Sequence, residues 1–334
     1  MGASTYQPMD NLCHTLVGIG LAEAGLKRKT ALGTATLLVG ANLPDVDAAA
    51  YHWGRVAGLG FRRGWTHGVL AMAVWPFILA GAMLAWDRWV RRRRKPGAVP
   101  ADARWLVGLA AIAVMSHPLL DLCNTYGVRL LMPFSGRWFY GDTLFIVDPW
   151  VWLALLAGIV GSWILRARGA ARPERPARAA LAATAAYIVV MAGLNLAARA
   201  LVKRELEAQG GHVRRFMAAP VPISPFTRDV IVDLGDAYAV GRLDWRGAPR
   251  YTPMLEAVPR NDGDAEVAVA IGTADGRTFL RWARFPAFHV ARDTAGAVVV
   301  ISDMRYPGQA WAQVAIPVGG ALSLPASPRT PERP

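Results

Sequence analysis

The stretch WLVGLAAIAVMSHPLLD, residues 105–121, is an apolar run that ends in a histidine and an aspartate four positions apart. A helix rises about 1.5 Å per residue, so this run can cross a hydrocarbon core of ~30 Å only if it continues through its last five residues. His117 and Asp121 then share one helix face near one membrane surface. Ionisable groups at this depth are costly and usually face a bundle interior. The stretch therefore predicts a membrane-spanning helix that carries part of a buried polar site.

Further apolar segments accompany this one. The chain of 334 residues is 54% hydrophobic with a mean hydropathy of +0.26, which is too apolar for an ordinary soluble protein. The other segments cover residues 12–26, 30–43, 68–86, 149–165 and 179–198. The first two are too short to cross a membrane singly, so we predict buried or half-inserted helices that form a hairpin at the basic sequence KRK. The fold class is thus a membrane α-helical bundle of about six helices, of which the later ones are transmembrane.

The formal net charge of +13 could indicate a nucleic-acid partner, but the distribution of the charge argues otherwise. Fifteen Lys and Arg residues lie in the connections after the first, third and fifth segments, whereas five lie in the alternate connections. This bias is typical of multi-pass proteins whose basic loops lie in the cytoplasm. We therefore predict a bacterial inner-membrane protein without a nucleic-acid partner. Because residues 1–11 carry no Lys or Arg, we expect no cleavable signal peptide.

The predicted orientation brings most histidines and aspartates of the membrane portion to one depth at the outer surface. The candidate metal ligands are His14, Asp45, Asp47, His67, His117, Asp121 and Asp142. Their nitrogen and oxygen atoms suit one or two divalent ions, zinc above all. An extended backbone after Pro44 would let Asp45 and Asp47 point the same way. Such a site predicts attack of metal-activated water on an ester or phosphoester, with Asp47 as second-metal ligand or general base.

Simpler explanations exist for several of these residues taken singly. His117 and Asp121 could form a hydrogen-bonded pair at a helix end, and Asp45 with Asp47 could form a capping turn. However, five such groups from four separate helix ends are improbable as independent caps. The pattern therefore favours a shared metal or proton site.

Other polar residues near these helix ends allow two interpretations. Asp148 before Pro149 is more typical of a helix N-cap than of a metal ligand, while Asp142 fits either role. Arg62 and Arg63 would usually be interfacial anchors. Beside a metal ion they could instead hold a substrate phosphate.

The composition changes after Lys203 and Arg204. The segments VIVDL, YAVGRL, EVAVAIG, TFLRWARF, AVVVISDMRY and AQVAIPV are of β type and are separated by Gly, Pro, Asn and Asp. We predict a membrane-embedded helical domain over residues 1–202, a β-rich domain over 203–322 and a disordered tail over 323–334. Because the sixth segment runs outward, the β-rich domain is expected on the periplasmic side.

Several motifs occur in the order typical of one family. DNLCHTLVGIGLAEAG, GANLPDVD, RRGWTHG and SHPLLDLCNTYGVRLLMPFS with FYGDTLFIVDPW resemble the YdjM/YbcI-type inner-membrane metal-dependent hydrolases over residues 9–165. The resemblance implies a membrane-bound hydrolase and points to His14, Asp45, Asp47, His67, His117 and Asp121. The family often has a histidine where this chain has Arg62, so one potential ligand is absent. A more distant similarity is to the zinc-dependent phospholipase C and nuclease fold, whose later histidine and His-x3-Glu ligands have no counterpart here.

These patterns lead to one hypothesis and two alternatives. The leading hypothesis is a metal-dependent hydrolase at the outer leaflet that acts on a lipid or lipid-linked phosphate, with Asp47, Arg62 and Arg63 as catalytic residues. A proton- or metal-coupled transporter could use the same histidines and carboxylates. A non-catalytic scaffold could use the metal only to hold its fold. The sequence identifies no protein partner.

Overall fold

A computed structural model describes residues 10–208, 210, 215–254, 256–294 and 296–319 of the chain. The predicted tail over residues 323–334 lies outside the described residues. The helices of the membrane portion are α1 (Asn11–Glu23), α2 (Gly33–Asn42), α3 (Arg55–Phe61), α4 (Val69–Trp86), α5 (Arg92–Arg94), α6 (Ala103–Cys123), α7 (Pro149–Ala167) and α8 (Arg175–Ala208). Two 3-10 helices, Leu26–Arg28 and Leu43–Trp53, follow α1 and α2, and a π-helical turn, Asp87–Arg91, joins α4 to α5.

Among the residues that the structure describes, four helical stretches are long and apolar enough to cross a membrane. They are Val69–Arg94, Ala103–Cys123, Pro149–Ala167 and Arg175–Ala208. This confirms the third to sixth predicted segments as candidate spans. The first two segments form α1 and α2, whose 13 and 10 residues extend about 20 and 15 Å. They are too short to cross alone and turn at the basic sequence, as predicted.

The ends of α1 lie beside opposite ends of α7. At the start of α1, the indole of Trp152 donates a hydrogen bond to Asp10 Oδ1 at 2.9 Å. At the other end, Glu23 pairs with Arg166 and accepts from Lys27 Nζ at 2.6 Å. The basic loops therefore gather at the end of the bundle opposite to Asp10.

Small residues let α7 and α8 pack closely. Ala177 N donates to Ser162 Oγ at 3.0 Å, and a Cβ on Gly158 would overlap Ala180. Near the start of α7, the hydroxyl of Tyr187 donates to Asp148 Oδ2 at 3.1 Å. Because α8 has 34 residues, its last turns continue well beyond the level where α7 begins.

The C-terminal region contains two antiparallel sheets. Its strands are β1 (Arg215–Pro220), β2 (Thr227–Asp233), β3 (Ala237–Asp244), β4 (Tyr251–Pro253), β5 (Val258–Pro259), β6 (Pro286–Asp293), β7 (Gly296–Asp303) and β8 (Gln313–Val318). The first sheet has the order β1-β2-β3-β4, with β5 also paired with β3, and the second has the order β6-β7-β8. This confirms a helical region followed by a β-rich region.

The last turns of α8 belong to the core of the first sheet. Ala198, Val202 and Leu206 pack there with Ala218 of β1 and Val230 of β2. The helix thus runs through residue 202, where the sequence placed a domain boundary, and ends at Ala208. A single continuous helix joins the membrane portion to the sheet.

Two segments predicted as strands are helices. EVAVAIG and most of TFLRWARF lie in α9 (Ala265–Gly272) and α10 (Ala274–Trp282), so the strand prediction was wrong there. Short apolar runs do not distinguish a strand from a buried helix by their pattern alone. Thr273 caps α10, because its Oγ1 accepts a hydrogen bond from Gly276 N at 3.0 Å.

We expect Gly158→Ala to lower the free energy of unfolding by about 1–3 kcal/mol, because overpacking a tight helix contact forces the helices apart. Ala180 and the carbonyl of Pro176 leave no room for a Cβ at this position. Gly193→Ala in α8 is the matched control, since a Cβ added there would meet no atom within 4 Å. SDS-induced unfolding in mixed micelles measures both, and equal stabilities of the two variants would contradict the packing described.

Candidate metal centre

The candidate centre forms where four parts of the chain meet at one depth. Its side chains are His14 from α1, Asp45 and Asp47 from the 3-10 helix Leu43–Trp53, Arg62, Arg63, Thr66 and His67 from the connection between α3 and α4, and His117 and Asp121 from α6. All are buried, with exposed fractions of at most 8%. The structure therefore brings together every ligand predicted from the sequence except Asp142.

Asp45 and Asp47 reach the centre from a backbone other than the one predicted. The segment that follows Pro44 is a 3-10 helix and is not extended, yet both carboxylates reach the Arg62 guanidinium. Asp45 Oδ1 lies 3.5 Å from His117 Nε2, whereas Asp47 Oδ2 lies 3.3 Å from His67 Nδ1. Each carboxylate therefore lies nearest to a different histidine.

Three ligand-type atoms converge at distances that suit a metal ion. Asp121 Oδ2 lies 3.3 Å from His67 Nε2 and 3.5 Å from His117 Nε2. Ligands at about 2.0–2.1 Å from a tetrahedral ion are separated from one another by about 3.3–3.4 Å. The two distances match edges of such a tetrahedron. An overlapping group is formed by His14, Asp45 and His117, whose ligand atoms all lie within 4.8 Å of one another.

Hydrogen bonding on the far side of His117 fixes which nitrogen faces the centre. Nδ1 lies 2.7 Å from the carbonyl oxygen of Ala41, and because a carbonyl only accepts, Nδ1 carries the hydrogen. In a neutral ring Nε2 then holds a lone pair. Nε2 of His117, Nε2 of His67 and Oδ2 of Asp121 are all buried without a hydrogen-bond partner. Facing acceptors repel unless a cation lies between them, so this donor set fits a divalent ion, with a proton on Nε2 as the alternative.

Asp47 orients His67 from the side away from the centre. Its Oδ2 accepts from Arg63 N at 2.8 Å and from the Thr66 hydroxyl at 2.9 Å. Thr66 Oγ1 also lies 2.9 Å from His67 Nδ1. A carboxylate beside Nδ1 favours the hydrogen on that nitrogen and leaves Nε2 free for a metal, an arrangement common among metal-binding histidines.

Two buried arginines neutralise the carboxylates of the centre. Arg62 donates to Asp45 Oδ1 at 2.9 Å through Nη2 and to Asp47 through Nη1. Arg63 Nη2 lies 2.8 Å from Asp121 Oδ1. Because both guanidinium groups are directed at carboxylates of the protein, they lower the cost of burying three negative charges together.

Asp142 and Asp148 lie in separate interactions. Asp142 Oδ2 accepts from Arg284 Nη1 at 2.8 Å and lies 3.7 Å from Arg199 Nη1, so the structure does not bring Asp142 to the histidines. Asp148 Oδ1 accepts from Trp150 N at 3.0 Å, which is the helix cap favoured by the sequence. Burial raises the pKa of Asp148 above its ordinary value.

A cleft leads to the centre from the start of α7. It is narrow, with a volume of about 20 Å³ that is room for about one water molecule, and is lined by Asp10, Cys13, His14, Leu120, Asp121, Asn124, Leu144, Phe145, Ile146, Asp148 and Val151. Its walls are largely apolar, and His14 and Asp121 connect it to the other ligands. Burial raises the pKa of Asp10, near the first turn of α1, to about 6. Cys13 in the wall is a free thiol, as is Cys123.

Comparison with known proteins places this centre within a family. The family model described as YdjM inner membrane protein matches residues 9–197, more than half of the 334-residue chain. The chain belongs to the YdjM inner membrane protein family. The matched part contains every residue of the candidate centre.

The YdjM-family chain also has a curated relative. The uncharacterized protein YfhP of Bacillus subtilis (strain 168) is 24% identical to it over 159 residues, which is 45% of each of the two chains. The match thus spans less than half the length of that relative. No solved structure matches the chain significantly.

Residues beyond the YdjM match hold the loop that follows α6. Arg305 donates to the carbonyl oxygen of Thr125 at 2.6 Å and to that of Trp282 at 3.0 Å, and it pairs with Asp303 at 2.8 Å. The hydroxyl groups of Thr125 and Tyr306 are 2.9 Å apart. Burial is the largest single influence and would lower the pKa of Arg305, but the charge and hydrogen bond of Asp303, together with Tyr306 and Tyr140, raise the pKa above its ordinary value.

The same loop contacts the centre. Asn124 Oδ1 accepts from Arg63 Nη1 at 3.0 Å, and the ring of Tyr126 lies 4.7 Å from Arg63 Cζ in a cation–π contact. Arg63 in turn pairs with Asp121. A chain of contacts therefore runs from Arg305 in the C-terminal region to a metal-ligand candidate. Asn124, Tyr126 and Arg305 were not among the residues predicted from the sequence, although Asn124 and Tyr126 lie within five residues of the end of the HPLLD motif.

We expect His67→Ala and His117→Ala to reduce bound divalent metal from stoichiometric to less than a tenth, because each removes one of the three converging atoms. Mass spectrometry of metals in the detergent-purified protein measures the content, and circular dichroism verifies that the variants keep their helices. His289→Ala on β6 is the control, since His289 is exposed and distant in the fold. Full retention of metal in the first two variants would contradict the assigned ligands.

We expect Arg305→Gln to lower the free energy of unfolding by about 3–5 kcal/mol, because it leaves the buried carboxylate of Asp303 without its cation. Arg305→Lys should lie between the variant and the wild type, since it keeps the charge but not the forked geometry. Arg292→Gln, which changes an exposed arginine on β6, should have no measurable effect. Thermal unfolding in one detergent compares the three variants, and equal behaviour of Arg305→Gln and Arg292→Gln would contradict the role of the buried pair.

Proposed function

We propose that the protein is a membrane-bound metal-dependent hydrolase whose centre lies at the periplasmic face of the inner membrane. The observation that carries the proposal is the convergence of His67 Nε2, His117 Nε2 and Asp121 Oδ2 beside a cleft. Family membership supports the membrane location. The concentration of basic residues at the opposite end of the helices supports the orientation.

His67, His117 and Asp121 would hold the ion, and the fourth position of a tetrahedral site would remain for water. Asp45 lies beside these ligands, with its Oδ1 3.5 Å from His117 Nε2. Zinc suits these nitrogen and oxygen donors. A bound ion would make water more acidic and polarise the bond to be cleaved. We assign one ion, because the two groups of candidate ligands share His117 and both oxygens of Asp47 already accept hydrogen bonds.

His14 is suited to moving the proton of the attacking water. It is the one histidine of the three that lines the cleft, and its ring stacks on that of His117 with centroids 3.7 Å apart. Its Nε2 lies 3.4 Å from Asp121 Oδ1, while its Nδ1 is buried without a hydrogen-bond partner. We assign Nδ1 as the atom that accepts the proton and returns it to the leaving group.

The cleft favours an amphiphilic substrate with an ester or phosphoester bond. Leu144, Ile146 and Val151 line the cleft, and a substrate would have to widen it to bring its ester or phosphoester group beside His14 and Asp121. The cleft lies at the start of a membrane span, where lipid-like molecules are abundant. Arg62 and Arg63 are directed at carboxylates, so we assign them to charge neutralisation within the centre and not to substrate phosphate.

The two roles of the histidines can be separated by experiment. We expect His14→Ala to keep at least half of the bound metal while hydrolysis falls by about 10²–10⁴-fold, the range typical for loss of a general base. His67→Ala should lose metal and hydrolysis together. A panel of short-chain p-nitrophenyl esters, bis-p-nitrophenyl phosphate and fluorescent phospholipids, assayed with zinc-loaded protein in detergent, gives the activity. A zinc-loaded wild type that hydrolyses none of these compounds, or a fully active His14→Ala variant, would count against the proposal.

A further inference from the structure

The connection between β1 and β2 is an apolar turn with exposed side chains at its tip. Residues 221–226 read VPISPF and contain no charged residue. Ile223 is 68% exposed and Phe226 is 48% exposed. Exposed apolar side chains grouped at one turn are typical of a contact site for lipid or protein.

The position of Trp150 shows where this turn lies relative to the membrane. Trp150 is the second residue of α7, a candidate span, and is 46% exposed. Tryptophan at the end of a span usually lies in the interfacial layer of the bilayer. Its indole Nε1 donates to the carbonyl oxygen of Ile223 at 2.7 Å. The tip of the turn is therefore within one hydrogen bond of the membrane interface.

Side chains of β2 and of the turn itself hold the turn in place. Arg228 Nη1 donates to the carbonyl oxygen of Pro225 at 2.9 Å, and its Nη2 lies 3.7 Å from Met191 Sδ of α8. Ser224 Oγ and Thr227 Oγ1 are 2.9 Å apart. The turn is thus bound to α7 through Trp150, and to α8 through Arg228 of β2.

The backbone of Ile223 is also unusual. Its φ is +68°, in the left-handed region that β-branched residues rarely adopt. A glycine or asparagine would occupy this position with less strain. An exposed isoleucine in this strained conformation fits a role for the apolar side chain itself.

We propose that the β1–β2 turn inserts Ile223 and Phe226 into the membrane leaflet on the side of the metal centre. The turn seats the first sheet on the bilayer next to the cleft, whose lining residue Val151 directly follows Trp150. The partner is the lipid interface, because the turn is continuous with the end of a membrane span and carries no charge that would select a polar protein surface. This inference does not depend on the proposed hydrolase activity.

Depth-dependent quenching tests the insertion. In the full chain with Cys13→Ala and Cys123→Ala, Ile223→Cys is labelled with the fluorophore NBD and reconstituted into phosphatidylcholine bilayers. The matched control is Leu234→Cys, since Leu234 is 51% exposed at the opposite end of β2. Seven strand residues separate the two turns, a distance of about 23 Å. Phe226→Cys is a second test position if the label at residue 223 prevents folding.

The expected result is that phosphatidylcholine brominated near the upper acyl chain quenches at least half of the emission at residue 223, while aqueous iodide has little effect. The label at residue 234 should show the reverse. Equal quenching by iodide at both positions would overturn the proposal. Protection of residue 223 from both quenchers would also overturn it, because it would mean that protein and not lipid covers the turn.

Discussion

The structure of the centre depends on how the charge of three buried carboxylates is balanced at the end of a helix bundle. Asp45, Asp47 and Asp121 contribute three negative charges, and the guanidinium groups of Arg62 and Arg63 return two positive ones. With neutral histidines, one negative charge remains in a site from which water is largely excluded. Such a charge is costly unless a cation accompanies it. This residual charge, together with the unpartnered acceptor atoms, is the physical basis for a metal ion.

The sequence predicted the parts of the protein that follow from local pattern and from membrane thickness. Apolar length identified the spans, and the i,i+4 spacing placed His117 and Asp121 on one face. The asymmetry of basic residues predicted that distant helix ends would meet. Local backbone geometry was harder to predict from the sequence. The segment with Asp45 and Asp47 is a 3-10 helix, and the apolar pattern does not reveal its hydrogen bonds.

The remaining differences concern interactions between distant parts of the chain. Asp142 pairs with Arg284, a residue 142 positions away. Arg305 contacts the carbonyl oxygen of Thr125 across 180 positions. A single sequence carries no periodic signal for such pairs, because each depends on how the C-terminal sheets pack against the membrane portion. The strand predictions for the residues of α9 and α10 were wrong for a related reason. Tertiary contacts decide whether a short apolar run forms a strand or a helix.

The uninterrupted course of α8 has a mechanical consequence. One helix passes from the bilayer into the core of the first sheet, where Ala198, Val202 and Leu206 pack, so no flexible joint separates the two environments. Helices respond to a thinner bilayer by tilting. Any tilt of α8 therefore moves the first sheet with it. A change in bilayer thickness that tilts α8 would also move the first sheet, whose β1–β2 turn is hydrogen-bonded to Trp150.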